Sequence, residues 1–219
     1  MEDVKTVATE NGGKIKIESF ERYSMYAPTD RPRKPKLSWA IRDGNPRVSV
    51  FTNDPNDTTN KGIITAPMDP ITFMDLLDML KKVAHSAPDS DPVYLDCRTS
   101  ARDENGKPTG DIVPLSQVWM GKDKDGIVWI SVFADGRPRI KFPFTMSPYH
   151  GIYKSNGTSL TPAEGSVLTA MSTAAVLDKI YGMYFENTCL NRYVPQVKRE
   201  GAEKPRSGGD DMSFDDIPM

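Results

Sequence analysis

Two histidines and two cysteines in 219 residues leave little material for the chemistries that depend on them. Cys97 and Cys189 lie far apart and lack the short paired spacing of a structural zinc site, which predicts reduced thiols and no metal centre or disulfide. His85 follows a predicted helix and His150 falls in a predicted turn, so neither has the spacing of a zinc ligand. There is no glycine-rich phosphate loop and no nucleophile elbow, and the acidic clusters SDPVYLD and GKDKDG read as turns. We therefore expect no enzyme, no cofactor and no metal, with a carboxylate-metal nuclease as the one enzyme class that needs no short motif. Long apolar runs are also missing. No stretch approaches the roughly 20 residues that span a bilayer, and MEDVKTVATE is not a basic and apolar leader, so a cytoplasmic protein without a membrane partner is expected.

What is present is unevenly distributed charge. The chain has 28 Lys and Arg against 30 Asp and Glu, but four of those acids sit in the last ten residues, which leaves 26 in the rest. A mildly basic body carries an acidic tail, DDMSFDDIPM, over residues 210–219. Dense like charge and few apolar groups prevent that segment from burying enough surface to offset its ordering entropy. The preceding PQVKREGAEKPRSGG, residues 195–209, is polar and glycine-bearing and reads as a linker. Residues 1–13 read as a flexible N-terminus, and 14–194 as the folded body.

Within the body the two halves resemble each other. At a constant shift of 92 residues, Asp43, Gly44, Pro46 and Arg47 fall on Asp135, Gly136, Pro138 and Arg139, and Val48 and Val50 fall on Ile140 and Phe142. The same shift carries Asp69-Pro70 onto Thr161-Pro162, two helix starts in which an N-cap oxygen precedes a proline at the first helical position. Duplication is the better reading of two landmarks matched without an insertion. The repeat units are about 14–90 and 91–190.

The first half parses as the strands KIKIESFERYSMY, LSWAIR, RVSVF and GIITAP, then a helix over DPITFMDLLDMLKKVA with Phe73, Leu76, Leu77, Leu80 and Val83 on one stripe. In the second half DIVPLSQVWMG, GIVWISVF, RPRIKFPF and a short piece near HGIYK precede a long helix from Thr161, while a further strand, VYLDCRT, and the polar loop SARDENGKPTGD join the halves. The fold class is α+β. Four strands and a helix, twice, resembles the whirly and Pur-type folds that bind single-stranded nucleic acid; an OB-fold barrel with added elements is the alternative.

Alternation places candidate binding residues on one face. A four-residue loop, Asp43 to Pro46, sets Arg42 opposite Arg47, buries Leu37, Trp39, Ile41, Val48 and Val50, and leaves Ser38, Ala40, Arg42, Arg47, Ser49 and Phe51 on the open side. Arg139 and Lys141 lie on the corresponding side of the second half with Arg137 beside them, and Trp129 lies on the core side with Trp39. Ahead of these strands, RPRKPK carries Arg31, Arg33, Lys34 and Lys36 on a proline-stiffened loop. Single-strand binding without sequence preference needs such cations together with exposed rings for stacking. The candidate rings are Tyr23, Tyr26, Phe51, Trp119, Phe144, Tyr149 and Tyr153.

SFDDIPM is similar to the end of bacterial single-stranded DNA-binding proteins, where a linker leads to an acidic tip ending in DDDIPF. Asp215, Asp216, Ile217 and Pro218 match; Met219 stands where phenylalanine would, and Phe214 lies just upstream. The resemblance implies a protein that binds single-stranded DNA and recruits replication or recombination proteins through its tip, with Met219 filling an apolar pocket in place of a ring. The rest of the chain does not look like the bacterial protein, a combination that suggests a bacteriophage protein. Other readings are an adaptor or structural phage protein with a solubilising tail, or the nuclease. DNA is not distinguished from RNA. A duplicated unit can act as a pseudo-dimer alone, while a homo-oligomer would lengthen the groove.

Overall fold

The computed structural model describes residues 23–185 apart from Asp43. The expected N-terminus (1–13), most of the first expected strand, the linker and the acidic tail with Phe214 to Met219 lie outside the described residues. The element order is β1 (Met25–Tyr26), β2 (Lys36–Arg42), β3 (Asn45–Phe51), β4 (Ile63–Pro67), α1 (Pro70–His85), β5 (Val93–Arg102), β6 (Pro108–Lys122), β7 (Val128–Phe133), β8 (Phe142–Pro143) and α2 (Pro162–Phe185). The strands form two antiparallel sheets, β1-β2-β3-β4 and β5-β6-β7-β8, and a helix follows each sheet. The protein is α+β. The OB alternative is corrected: neither sheet closes, because the first and last strands of each remain unpaired with one another.

Both helices begin at the expected caps. The Asp69 carboxylate accepts from the backbone N–H groups of Ile71 (2.9 Å) and Thr72 (3.0 Å) and from the Thr72 hydroxyl, with Pro70 at the first helical position. Thr161 and Glu164 form a capping box: Thr161 N–H donates to Glu164 Oε2 at 2.8 Å, and Glu164 N–H donates back to Thr161 Oγ1 at 3.3 Å. The stripe Phe73, Leu76, Leu77, Leu80 and Val83 of α1 is buried, and α2 buries Ser166, Ala170, Ala174, Leu177 and Tyr181 at helical spacing. Aromatic contacts tie these layers together, with Phe73 edge-on to Trp39 of β2 at 6.4 Å and tilted against Tyr181 at 5.4 Å. One core is shared by both sheets and both helices.

The first hairpin is tighter than expected. Arg42 pairs with Asn45, Ala40 with Arg47 and Trp39 with Val48, so the connection through Gly44 (φ 80°) is a two-residue turn in place of the four-residue loop. A register change of two residues preserves faces, so Leu37, Trp39, Val48 and Val50 are still buried together.

The second sheet departs further from expectation. The expected strand VYLDCRT forms and is the first strand of this sheet, but most of SARDENGKPTGD is strand and not loop, because β5 runs to Arg102 and β6 begins at Pro108. The piece near HGIYK makes only an isolated bridge, Tyr153 to Ser159, and belongs to neither sheet. The shift of 92 also fails to carry the register. Ile130 pairs with Phe142, whereas their counterparts in the first half, Ser38 and Val50, lie on opposite faces. A one-residue slip between β7 and β8 turns over every side chain of β7. Val128, Ile130 and Val132 therefore enter the core, and Trp129 goes to the other face.

Among the described residues no helix is long and apolar enough to cross a membrane.

Candidate nucleic-acid interface

The outward face of the second sheet is built by alternation in three neighbouring strands. Tyr94 of β5 pairs across with Trp119 of β6, which pairs with Ser131 of β7; one row away lie Asp96, Gln117 and Phe133, and on the other side Gly121 and Trp129. The alternate residues Leu95, Val118, Met120, Ile130 and Val132 pack in or against the core, which holds this face outward. Tyr94 stacks on Trp119 with ring centroids 4.5 Å apart and planes 16° from parallel. The Arg139 guanidinium lies 4.3 Å from the Trp119 ring centroid and 5.6 Å from that of Phe133, and Lys141 Nζ lies 4.2 Å above Trp129. A hydrogen-bonded chain fixes the indole: Trp119 Nε1–H donates to Gln117 Oε1 (2.9 Å), Gln117 Nε2 to Asp96 Oδ1 (3.3 Å), and Arg98 Nε to Asp96 Oδ2 (2.8 Å). The Arg98 bond, ahead of that from Gln117, holds the Asp96 carboxyl below the usual carboxylate range.

Trp129 is the unexpected member. The slip places it on this face, yet it is only 7 % exposed, because its indole lies across Gly121 and beneath Lys141. A Cβ on Gly121 would stand 2.6 Å from the indole ring, so glycine is what admits the tryptophan. Trp129 is thus buried on the face away from the shared core, as a floor under Lys141. Tyr94, half exposed at 51 %, is not among the rings expected from the sequence; its signal is the alternation Tyr94, Asp96, Arg98 within the expected strand VYLDCRT.

The first sheet provides a smaller row. Tyr26, Lys36, Phe51 and Ile63 are cross-strand neighbours on the side away from the core, with Lys36 Nζ 5.6 Å from the Phe51 ring centroid and Tyr26 exposed. Arg33 and Lys34 are exposed on the loop before β2, and Asn53 Nδ2 donates to the Lys34 carbonyl at 2.7 Å. Arg31 pairs with Asp54 at 3.1 Å. Arg42 is exposed and Arg47 half-buried, but Ser38 and Ser49 between them are buried, so the expected open face is not a continuous basic strip.

Several expected site residues lie elsewhere. Arg137 is turned into a buried pairing: Nε and Nη2 bond the two Asp57 oxygens at 3.0 and 2.7 Å, and Nη1 donates to the Ile63 carbonyl at 2.8 Å. Its side chain is 9 % exposed, which withdraws it from the row with Arg139 and Lys141. Phe144 is buried in the core. Tyr149 and Tyr153 are exposed in the segment between β8 and α2 and belong to neither sheet, and Tyr23 is exposed ahead of β1.

The structure therefore brings together Tyr94, Trp119, Phe133, Arg139, Trp129 and Lys141, joining cations to rings on one sheet face. Such a face can stack an unpaired base on a ring or guanidinium plane and offer a cation to the adjoining phosphate. Comparison with known proteins finds no matching family model, no matching curated protein and no matching solved structure.

Proposed function

We propose that this chain is a single-stranded DNA-binding protein that coats DNA during replication, recombination or repair and recruits partner proteins through its acidic tip. The supporting observation is the Tyr94–Trp119 stack with Arg139 over Trp119 and Lys141 over Trp129. Rings serve single strands because each stacked base contributes about 1–3 kcal/mol, whereas bases in a duplex already stack on one another. Each run of four strands and a helix is read as one copy of a duplicated whirly/Pur-type unit, and the tail as a bacterial-type peptide ligand on a protein of bacteriophage origin.

The test is a titration of fluorescent oligo-dT, a matching duplex and a matching RNA at two salt concentrations. Single-stranded DNA should bind more tightly than duplex, with affinity falling as salt rises in proportion to the phosphates contacted. Trp119→Ala, which removes the plane that holds both Tyr94 and Arg139, should weaken binding by about 1–3 kcal/mol, the scale of one stacked base. Equal affinity for duplex, or indifference to Trp119→Ala, would overturn the proposal; metal-dependent strand cleavage would identify a nuclease instead.

A further inference from the structure

The two sheets have four edges, and three are short or covered. β1 and β8 are two residues long, and β8 includes Pro143. β4 is covered where Ser116 Oγ donates to the Thr65 carbonyl at 2.9 Å and Arg137 to the Ile63 carbonyl at 2.8 Å. The fourth edge, β5, is ten residues long, contains no proline, and among the described residues receives no hydrogen bond on the side away from β6. A long edge of this kind is a template for another strand unless something blocks it.

The bulges and prolines of the β5–β6 hairpin all lie on β6, and the charges of β5 are Asp96, Arg98 and Arg102. The pairings Cys97 to Ser116 and Arg98 to Pro114 leave Leu115 as the extra residue, and Ser100 to Ile112 and Arg102 to Pro108 likewise place the excess on β6. Both prolines of the hairpin, Pro108 and Pro114, are also on β6. The outer edge of β5 therefore keeps an uninterrupted spacing.

We infer that the β5 edge joins a second copy of this chain, with two β5 strands pairing antiparallel about a twofold axis at Cys97. The argument for a second copy is charge complementarity. Asp96 and Arg98 flank Cys97 and project on the same face, where they bond each other at 2.8 Å. In an antiparallel self-pairing centred on Cys97, Asp96 of each copy stands opposite Arg98 of the other, so two intramolecular pairs gain two intermolecular partners. A twofold interface must be self-complementary, and this four-residue pattern is. The inference extends the proposed function, because the two sheets would become one and both Tyr94–Trp119 faces would lie on the same side of it.

The experiment is sedimentation equilibrium of the full chain without nucleic acid, so its outcome does not depend on DNA binding. The wild type should have twice the chain mass at micromolar concentration. Asp96→Arg and Arg98→Asp, each of which sets like charges opposite one another, should each weaken the dimer at least tenfold, and the exchanged double variant should restore it. Leu95→Cys with Thr99→Cys, on a Cys97→Ser and Cys189→Ser background, should oxidise to a covalent dimer, because those positions face each other across the axis. A wild-type monomer, or single variants and the exchanged variant that all dimerise equally, would overturn the inference while leaving the proposed function intact.

Discussion

Arg137 and Arg139 are two positions apart and differ completely in setting. Arg137 is held in a two-point contact with Asp57, which also accepts from Thr52 Oγ1 at 2.8 Å, and both charged groups are buried. Arg139 is exposed over Trp119. Removing one partner of a buried pair leaves the other charge desolvated and unmatched, at a cost of about 3–5 kcal/mol. Arg137→Ala should therefore lower the chemical denaturation midpoint strongly. Arg139→Ala should change stability by less than about 1 kcal/mol but weaken single-strand binding. A denaturation curve for Arg137→Ala that superimposes on the wild type would contradict the assignment. The Arg137 hydrogen bond holds the Asp57 carboxyl below its ordinary 3.8, so its contribution is complete above that value and is lost as pH falls through the lower folded value.

At the level of elements, the start of α2 carries an acid-sensitive lock. Glu164 bonds Lys154 Nζ at 2.8 Å in addition to the Thr161 N–H, and the Lys154 bond leads in lowering its pKa from 4.5 to about 2. A depressed carboxyl pKa stabilises the folded state fully above 4.5, and the contribution disappears as pH falls through about 2. The difference in melting temperature between wild type and Glu164→Ala should be constant near neutral pH and shrink between 4.5 and 2. A difference that is independent of pH would remove the ionised lock. Thr161→Ala, which deletes the other half of the box, should cost about 0.5–2 kcal/mol.

For the whole molecule, the decisive question is whether the mildly basic body and the acidic tail act on different partners. Deleting residues 210–219 removes four negative charges and should tighten single-strand binding at low salt, with a gain that shrinks as the Debye length falls below about 10 Å. A purely solubilising tail predicts the same gain. Met219→Asp separates the two: it keeps the tail acidic but disfavours entry of its tip into an apolar pocket. That variant should bind DNA about as well as wild type yet lose capture of the cognate polymerase, helicase or recombinase in a pull-down. Undiminished capture would reduce the tail to a solubilising segment.

What the sequence determined by itself is local. Asp69-Pro70 and Thr161-Pro162 start their helices because cap and first turn lie within four residues. The α1 stripe and the buried side of the β2–β3 hairpin follow from periodicities of 3.6 and 2. That hairpin keeps its expected faces although its turn is two residues shorter than expected, since a difference of two residues leaves parity unchanged. Only the tertiary structure decided the remainder. One residue of excess between β7 and β8 exchanged the two sides of β7 and sent Trp129 outward, although the sequence repeat placed it in the core. The partner of Arg137 lies 80 residues away, so no local pattern could show that this arginine is buried while its neighbour Arg139 is exposed. Which edges are covered and which rings meet depends on how the two sheets pack, because a strand's composition determines its faces and its neighbours determine which face remains exposed.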